Sequence, residues 1–150
     1  MDHRLVLLVE DDPGDARLVQ RAFSKVGLEA LLMRLSNGDE AVEYLQGKPP
    51  YENRAAYPLP AVILLDIKLP RRSGIEVLEW LRAGHNPLRR IPVIMFTSSR
   101  DTIDIDRAYD RGANSYLTKP DTTAQLLEMA QAFKTYWIQL NEQPSLQQAV

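Results

Sequence analysis

Four carboxylates stand where apolar runs have just ended. Glu10, Asp11 and Asp12 directly follow Leu5 to Val9, and Asp66 directly follows Ala61 to Leu65. Two more runs close on groups of other kinds: Thr97 comes after Val93 to Phe96, and Lys119 after Tyr116-Leu117-Thr118. If folding gathers the acids, like charges about 4 Å apart repel by about 4 kcal/mol at an effective dielectric near 20, so a cation must share the space. Hard carboxylate oxygens at a partly open, water-accessible site suit Mg²⁺, which binds through one or two carboxylates and keeps several waters. A hydroxyl and an ammonium are what a transferring phosphoryl group needs, because its chemistry is mostly positioning and charge neutralisation. Each residue also has a plainer explanation. The acid triplet suits a helix N-terminus, Thr97 an ordinary strand end and Lys119 a solvated loop charge.

The elements must therefore bring four strand ends together. Leu5 to Val9, Ala61 to Leu65 and Val93 to Phe96 are short unbroken apolar runs, the pattern of strands buried on both faces of a parallel sheet. Leu31 to Leu35 and Ser115 to Leu117 are weaker strand candidates. Helical stretches are expected between them, at about 14–26, 38–46, 74–83, 102–111 and 123–140. Asp12 with Pro13 reads as a helix start, and Asn37 with Glu40, Ser73 with Glu76 and Thr122 with Gln125 match or approximate capping-box spacing. Strands alternating with helices predict an α/β doubly wound, five-stranded parallel sheet. Ligands of such sheets bind beyond the strands' carboxyl ends where the winding reverses. The order 2-1-3-4-5 would make the first and third strands neighbours, so that Glu10, Asp11 and Asp66 converge. Four prolines between Lys48 and Pro60 exclude regular helix there and predict a long loop.

Composition bounds the rest. A chain of 150 residues, 45% hydrophobic and 25% charged, suits a single globular domain. A formal charge of −2 provides no electrostatic footprint for nucleic acid. No stretch approaches the about 20 apolar residues that cross a bilayer, and the N-terminus lacks a cleavable secretory pattern, so a cytoplasmic location is expected. The absence of cysteine removes disulfides, thiolate catalysis and Cys-ligated zinc, and His3 and His85 are too few and too far apart for a metal site. Residues 1–140 are expected to form the domain, ending in an extended helix. The polar, Gln-rich residues 141–150 read as a flexible tail.

The joint pattern Leu7-Leu8-Val9-Glu10-Asp11-Asp12, Leu64-Leu65-Asp66 with Leu69-Pro70 and Gly74, Thr97-Ser98, and Tyr116-Leu117-Thr118-Lys119-Pro120 resembles a two-component response-regulator receiver domain over roughly residues 4 to 140. The resemblance implies the flavodoxin-like receiver fold, with Asp66 as phosphoacceptor. It implies that Asp11, Asp66 and the Lys68 backbone carbonyl bind Mg²⁺ directly while Glu10 assists through water, and that Thr97 and Lys119 contact the phosphoryl oxygens. It further implies a switch in which Thr97 moves toward the phosphoryl group and Tyr116 turns inward behind it. Tyr116 read without the family is equally a partly buried aromatic with its hydroxyl at the surface. Pro120 aims the Lys119 loop, through a peptide bond open to the cis or trans form. Donors would be a histidine kinase or small molecules such as acetyl phosphate.

The Pro-rich insertion, Ala108-Tyr109-Asp110-Arg111-Gly112-Ala113-Asn114-Ser115-Tyr116 and the ending Tyr136-Trp137-Ile138 are similar to single-domain regulators paired with phytochrome kinases. That would make red/far-red light the input, and the chain a signalling domain that catalyses only its own phosphorylation and slow autodephosphorylation. Lys68 and Ser99 flank the path of an attacking water and leave the phosphoryl lifetime open. Output would run through protein contacts. Leu126, Met129, Phe133, Trp137 and Leu140 recur at helical steps: the first half of that stripe is expected to pack on the sheet and the last two residues to cover a second copy in a homodimer. Arg71-Arg72 and Arg89-Arg90 read as solvated loop charges, or as contacts for an acidic kinase surface.

Three rival functions share this architecture. A haloacid-dehalogenase-type phosphatase resembles a pair of aspartates two residues apart, and Lys68 occupies the second place. A flavin-mononucleotide module would meet repulsion from Glu10-Asp11-Asp12 against its phosphate. An unphosphorylated receiver-fold adaptor would not need the set Glu10, Asp11, Asp66, Thr97 and Lys119.

Overall fold

The computed structural model describes residues 4–146. Strands β1 (Val6–Val9), β2 (Leu32–Leu35), β3 (Val62–Leu65), β4 (Val93–Thr97) and β5 (Ser115–Thr118) form one parallel sheet in the order β2-β1-β3-β4-β5. The helices are α1 (Pro13–Lys25), α2 (Gly38–Gln46), α3 (Gly74–Ala83), α4 (Thr102–Asp110) and α5 (Thr123–Phe133), the last continued by a π-helical segment, Lys134–Leu140. The expected α/β doubly wound order is therefore the observed one.

Successive side chains of a strand point to opposite faces, and here both faces are covered. Leu7, Val9, Ile63, Leu65, Val93 and Met95 pack with residues of α2 and α3 and with Ala108 of α4. Val6, Leu8, Val62, Leu64, Ile94 and Phe96 pack with residues of α1 and α5. Every residue of β1 and β3 is essentially inaccessible to solvent, so these strands read as continuous apolar runs rather than as alternation. Register then fixes the site. Val9 lies level with Leu35 and with Leu65, and Leu65 with Met95, so β1 and β3 finish side by side.

The helix starts carry the expected caps. Asp12 Oδ1 accepts from the Gly14 and Asp15 amides at 2.8 and 3.3 Å, with Pro13 in the first turn. Ser73 and Glu76 form a complete capping box. Asn37 accepts from the Glu40 amide at 2.8 Å, but the Glu40 carboxylate accepts from Ser36 and not from the cap residue. Thr122 accepts from the Gln125 amide at 3.1 Å.

The apolar stripe of the last helix departs from expectation. Leu126, Ala130 and Phe133 are buried at α-helical steps, and the next buried residue is Ile138, five further on. The π-helical turn causes this offset: with i→i+5 bonding, such as Asn141 N donating to Tyr136 O at 2.7 Å, a five-residue step returns to the same face. Trp137 is consequently only half-buried against the core, while Tyr136 and Leu140 are exposed.

The Pro-rich loop is tied down. Arg54 donates to the carbonyls of Tyr44, Leu45 and Tyr57, supplying a donor to Leu45 O at the end of α2 and sharing Tyr44 O with the Gly47 amide. Tyr44, Tyr51 and Tyr57 stack edge-on and tilted around it. A cis peptide bond joins Pro49 and Pro50, whereas Lys119–Pro120 is trans. The stretch read as a tail makes contacts over its described part: Ser145 O accepts from Arg90 at 3.1 Å, and Leu146 packs against the core. Residues 147–150 of that stretch, and His3, lie outside the described residues. Of the loop arginines, Arg72 pairs with Asp39 of α2 at 3.3 Å and Arg89 donates to the His85 and Asn86 carbonyls of its own loop.

Candidate functional site

Glu10 and Asp66 are the residues that follow β1 and β3, and the paired strand ends place them together. The Asp66 amide donates to Val9 O at 3.2 Å, continuing the ladder one residue beyond the strands. Carboxylate oxygens of Glu10, Asp11 and Asp66 all lie within 4.8 Å of one another. Glu10 is 1% exposed and Asp66 6%, while Asp11 is open to solvent. The pocket thus has a buried floor and an accessible rim.

Lys119 reaches in from the opposite edge. Its amide donates to Thr97 O at 2.8 Å, which ties the β5 exit to the end of β4. Its ammonium donates to Asp66 Oδ2 and Asp15 Oδ2, both at 2.9 Å, and makes an ion-pair contact with Glu10 Oε1 at 2.6 Å. Asp66 Oδ1 accepts from the Ile67 amide at 2.7 Å, and Glu10 Oε2 from the Asp12 amide at 3.2 Å. Burial raises the Glu10 carboxyl to about 7, helped by the Asp66 charge and opposed by Lys119. Burial works against the Lys119 ammonium, yet its bonds to Glu10, Asp66 and Asp15 outweigh it and hold the pKa above the usual lysine value.

Close backbone approach shapes the rim. A Cβ on Gly74 would lie 1.9 Å from Asp66 O, and the Gly74 amide donates to Ile67 O at 2.8 Å, so α3 begins directly on the backbone that carries Asp66. Gly38 plays the same part at the start of α2, where a Cβ would lie 1.9 Å from Arg72 O.

Thr97 is buried at the end of β4, and its Oγ1 accepts a long bond, 3.4 Å, from the Ser99 amide. Ser99 Oγ donates to Asp104 at 2.6 Å, and the half-buried Tyr116 hydroxyl donates to Ser99 O at 2.9 Å. Two contacts therefore link Thr97 through Ser99 of the β4–α4 loop to Tyr116, and a third ties Ser99 to α4. Lys68 is exposed in the β3–α3 loop, two residues beyond Asp66.

The structure brings Glu10, Asp11, Asp66 and Lys119 together, ties Thr97 to Lys119 through the backbone, leaves Asp12 as the cap of α1, and adds two residues that sequence did not single out. Asp15 sits in the first turn of α1, where its place after the Asp12 cap disguised it as ordinary helix-dipole chemistry. Arg34 donates from β2 to Glu10 O at 3.0 Å and Asp11 O at 3.2 Å, fixing the acidic loop from behind. Its one available signal was a charge inside an otherwise apolar strand.

The donor set suits a hard divalent cation. It consists of oxygens alone, it gathers three carboxylates against a single ammonium, and the buried Glu10 Oε1 has no aligned hydrogen-bond donor among the described residues.

Residues 6–131 match the response regulator receiver domain family. The chain is 37% identical over 137 residues to response regulator Rcp1 of Synechocystis sp., covering 91% of this chain and 90% of that protein. It superposes on the phosphorylated cyanobacterial phytochrome response regulator RcpA with a TM-score of 0.85 at 33% identity, over 95% of this chain and 99% of that one. Against the Mn²⁺-bound form of Rcp1 the TM-score is 0.83 at 35% identity, with the same two coverages.

Proposed function

Since this chain belongs to the response regulator receiver domain family, we propose that it is a phosphorylation-controlled switch that accepts a phosphoryl group on Asp66. The observation that carries this reading is the pairing of Asp66 Oδ2 with the Lys119 ammonium at 2.9 Å, inside a pocket of three carboxylates. An Asp66 oxygen attacks phosphorus and forms an acyl phosphate. The bond from phosphorus to the donor atom breaks, and its electron pair leaves with the donor, the imidazole of a phosphohistidine or the acetate of acetyl phosphate.

Asp11, Asp66 and the Lys68 carbonyl would hold Mg²⁺, with Glu10 acting through water. The ion, when bound, neutralises charge on the phosphoryl oxygens. Lys119 donates to one of these oxygens and the Thr97 hydroxyl to another. A shift of Thr97 toward that oxygen would stretch the already long 3.4 Å bond its Oγ1 accepts from the Ser99 amide, and Tyr116 is held to the same residue at 2.9 Å. Movement of Thr97 is thereby coupled to the face formed by α4, β5 and α5.

The donor fitting the resemblance to Rcp1 and RcpA is a histidine kinase of phytochrome type. Downstream contact would use the exposed apolar residues Ile103 and Tyr109 of α4 and Tyr136 and Leu140 of the π-helical segment, which also suit a homodimer. Light scattering with and without a phosphoryl mimic checks the dimer; a monomeric mass in both states refutes it. No helix among the described residues is long and apolar enough to cross a membrane, consistent with a cytoplasmic switch.

Intact mass after incubation with acetyl phosphate, with and without Mg²⁺, tests the central claim. The parent should gain one phosphoryl group only with the cation, and Asp66→Asn none. A parent that gains nothing would instead be an unphosphorylated adaptor.

A further inference from the structure

The phosphoacceptor reading makes no use of Asp15, yet this residue supplies one of the three carboxylates around the Lys119 ammonium. Their oxygens lie at 2.9 Å (Asp15), 2.9 Å (Asp66) and 2.6 Å (Glu10). An ammonium has three protons and no acceptor. Two of these protons bond Asp15 and Asp66, and Glu10 Oε1 crowds Nζ at 2.6 Å without an aligned bond, so a phosphoryl oxygen can draw Nζ to itself only if one partner gives way.

The three partners differ in what release would cost. The Glu10 side chain is 1% exposed, so bulk water cannot take over from Lys119 there. Asp66 is 8% exposed over its side chain and is itself the acceptor. Asp15 is 37% exposed and sits in the first turn of α1, where water and the helix N-terminus can take over from Lys119.

We infer that Asp15 is a positioning residue for Lys119. It parks the ammonium against Asp66 in the unphosphorylated protein and is the partner displaced when phosphoryl oxygens arrive. Asp15 thereby competes with the phosphoryl group for Lys119 and weakens its retention. The inference rests on the phosphoacceptor reading above.

Isothermal titration with beryllofluoride, a phosphoryl mimic, at saturating Mg²⁺ tests it. Asp15→Asn should bind about fivefold tighter than the parent, as fits release from a competing half-exposed ion pair. Asp15→Glu should return toward the parent value. Asp121→Asn removes the same charge from the loop beside Lys119 without touching Nζ, since Asp121 lies against Arg100 at 3.6 Å, and should leave the affinity within about twofold. Equal binding by Asp15→Asn and the parent overturns the inference, and so does an equal gain in Asp121→Asn, which would mean a bulk charge effect. A change confined to the melting temperature would reduce Asp15 to a structural role and overturns it as well. A parent that binds no beryllofluoride overturns the phosphoacceptor reading itself, and this inference with it.

Discussion

Replacing Glu10 by Gln should flatten the pH dependence of folding stability in magnesium-free solution. The Glu10 side chain is 1% exposed, and burial, reinforced by Asp66, lifts its carboxyl from 4.5 to about 7 in the folded protein. A group whose folded pKa is raised contributes stability that is fully present below its unfolded value and is lost as pH climbs through the folded one. For Glu10 that window runs from 4.5 to about 7. At about 1.4 kcal/mol per unit, the contribution lost is on the order of 3 kcal/mol. Urea denaturation in chelator, repeated across this window, should show the parent losing about that much relative to Glu10→Gln. Saturating Mg²⁺ should shrink the loss, because an ionised Glu10 then faces a cation. Parallel stability profiles for the two proteins would refute the reasoning, and so would a relative gain for the parent as pH rises.

Three further outcomes are expected. Arg54→Ala takes the side-chain donor from the Leu45 carbonyl and leaves the Tyr44 carbonyl with the Gly47 amide alone, and should cost about 2 kcal/mol in a denaturant titration. Gly74→Ala drives a Cβ against Asp66 O, so it should destabilise by about 2 kcal/mol or more and weaken Mg²⁺ binding in a fluorescence titration, since the backbone that moves carries Asp66. Ile138→Ala should lower stability by about 3 kcal/mol and Trp137→Ala by less, the reverse of what regular helical spacing from Phe133 would give.

Much of the sheet could be read from sequence because β1, β3 and β4 are buried on both faces and therefore spell continuous apolar runs. The acids and the lysine were legible for a related reason: strand ends are marked by the runs themselves, so Glu10, Asp66 and Lys119 could be placed without knowing any side-chain direction. Asp15 and Arg34 were not, since their importance depends on which neighbour a side chain reaches across 104 and 24 residues of chain respectively. The Pro-rich loop announced its irregularity but not its anchor, because Arg54 acts through backbone carbonyls, which leave no trace in residue type. The end of the last helix was misphased for a different cause. Periodicity arguments assume one winding from cap to cap, and nothing in Lys134 to Leu140 signals a change of pitch.

That wider turn also bears on how the chain can change length. A π-helical turn amounts to an α-helix carrying one residue too many, absorbed as a bulge instead of rotating everything beyond it. Removing a single position between Phe133 and Ile138 would let the helix tighten to ordinary winding while its isoleucine still met the core. The segment is thus a place where relatives can gain or lose a residue with the core contacts kept, and where sequences should be aligned by buried side chains, not by unbroken numbering.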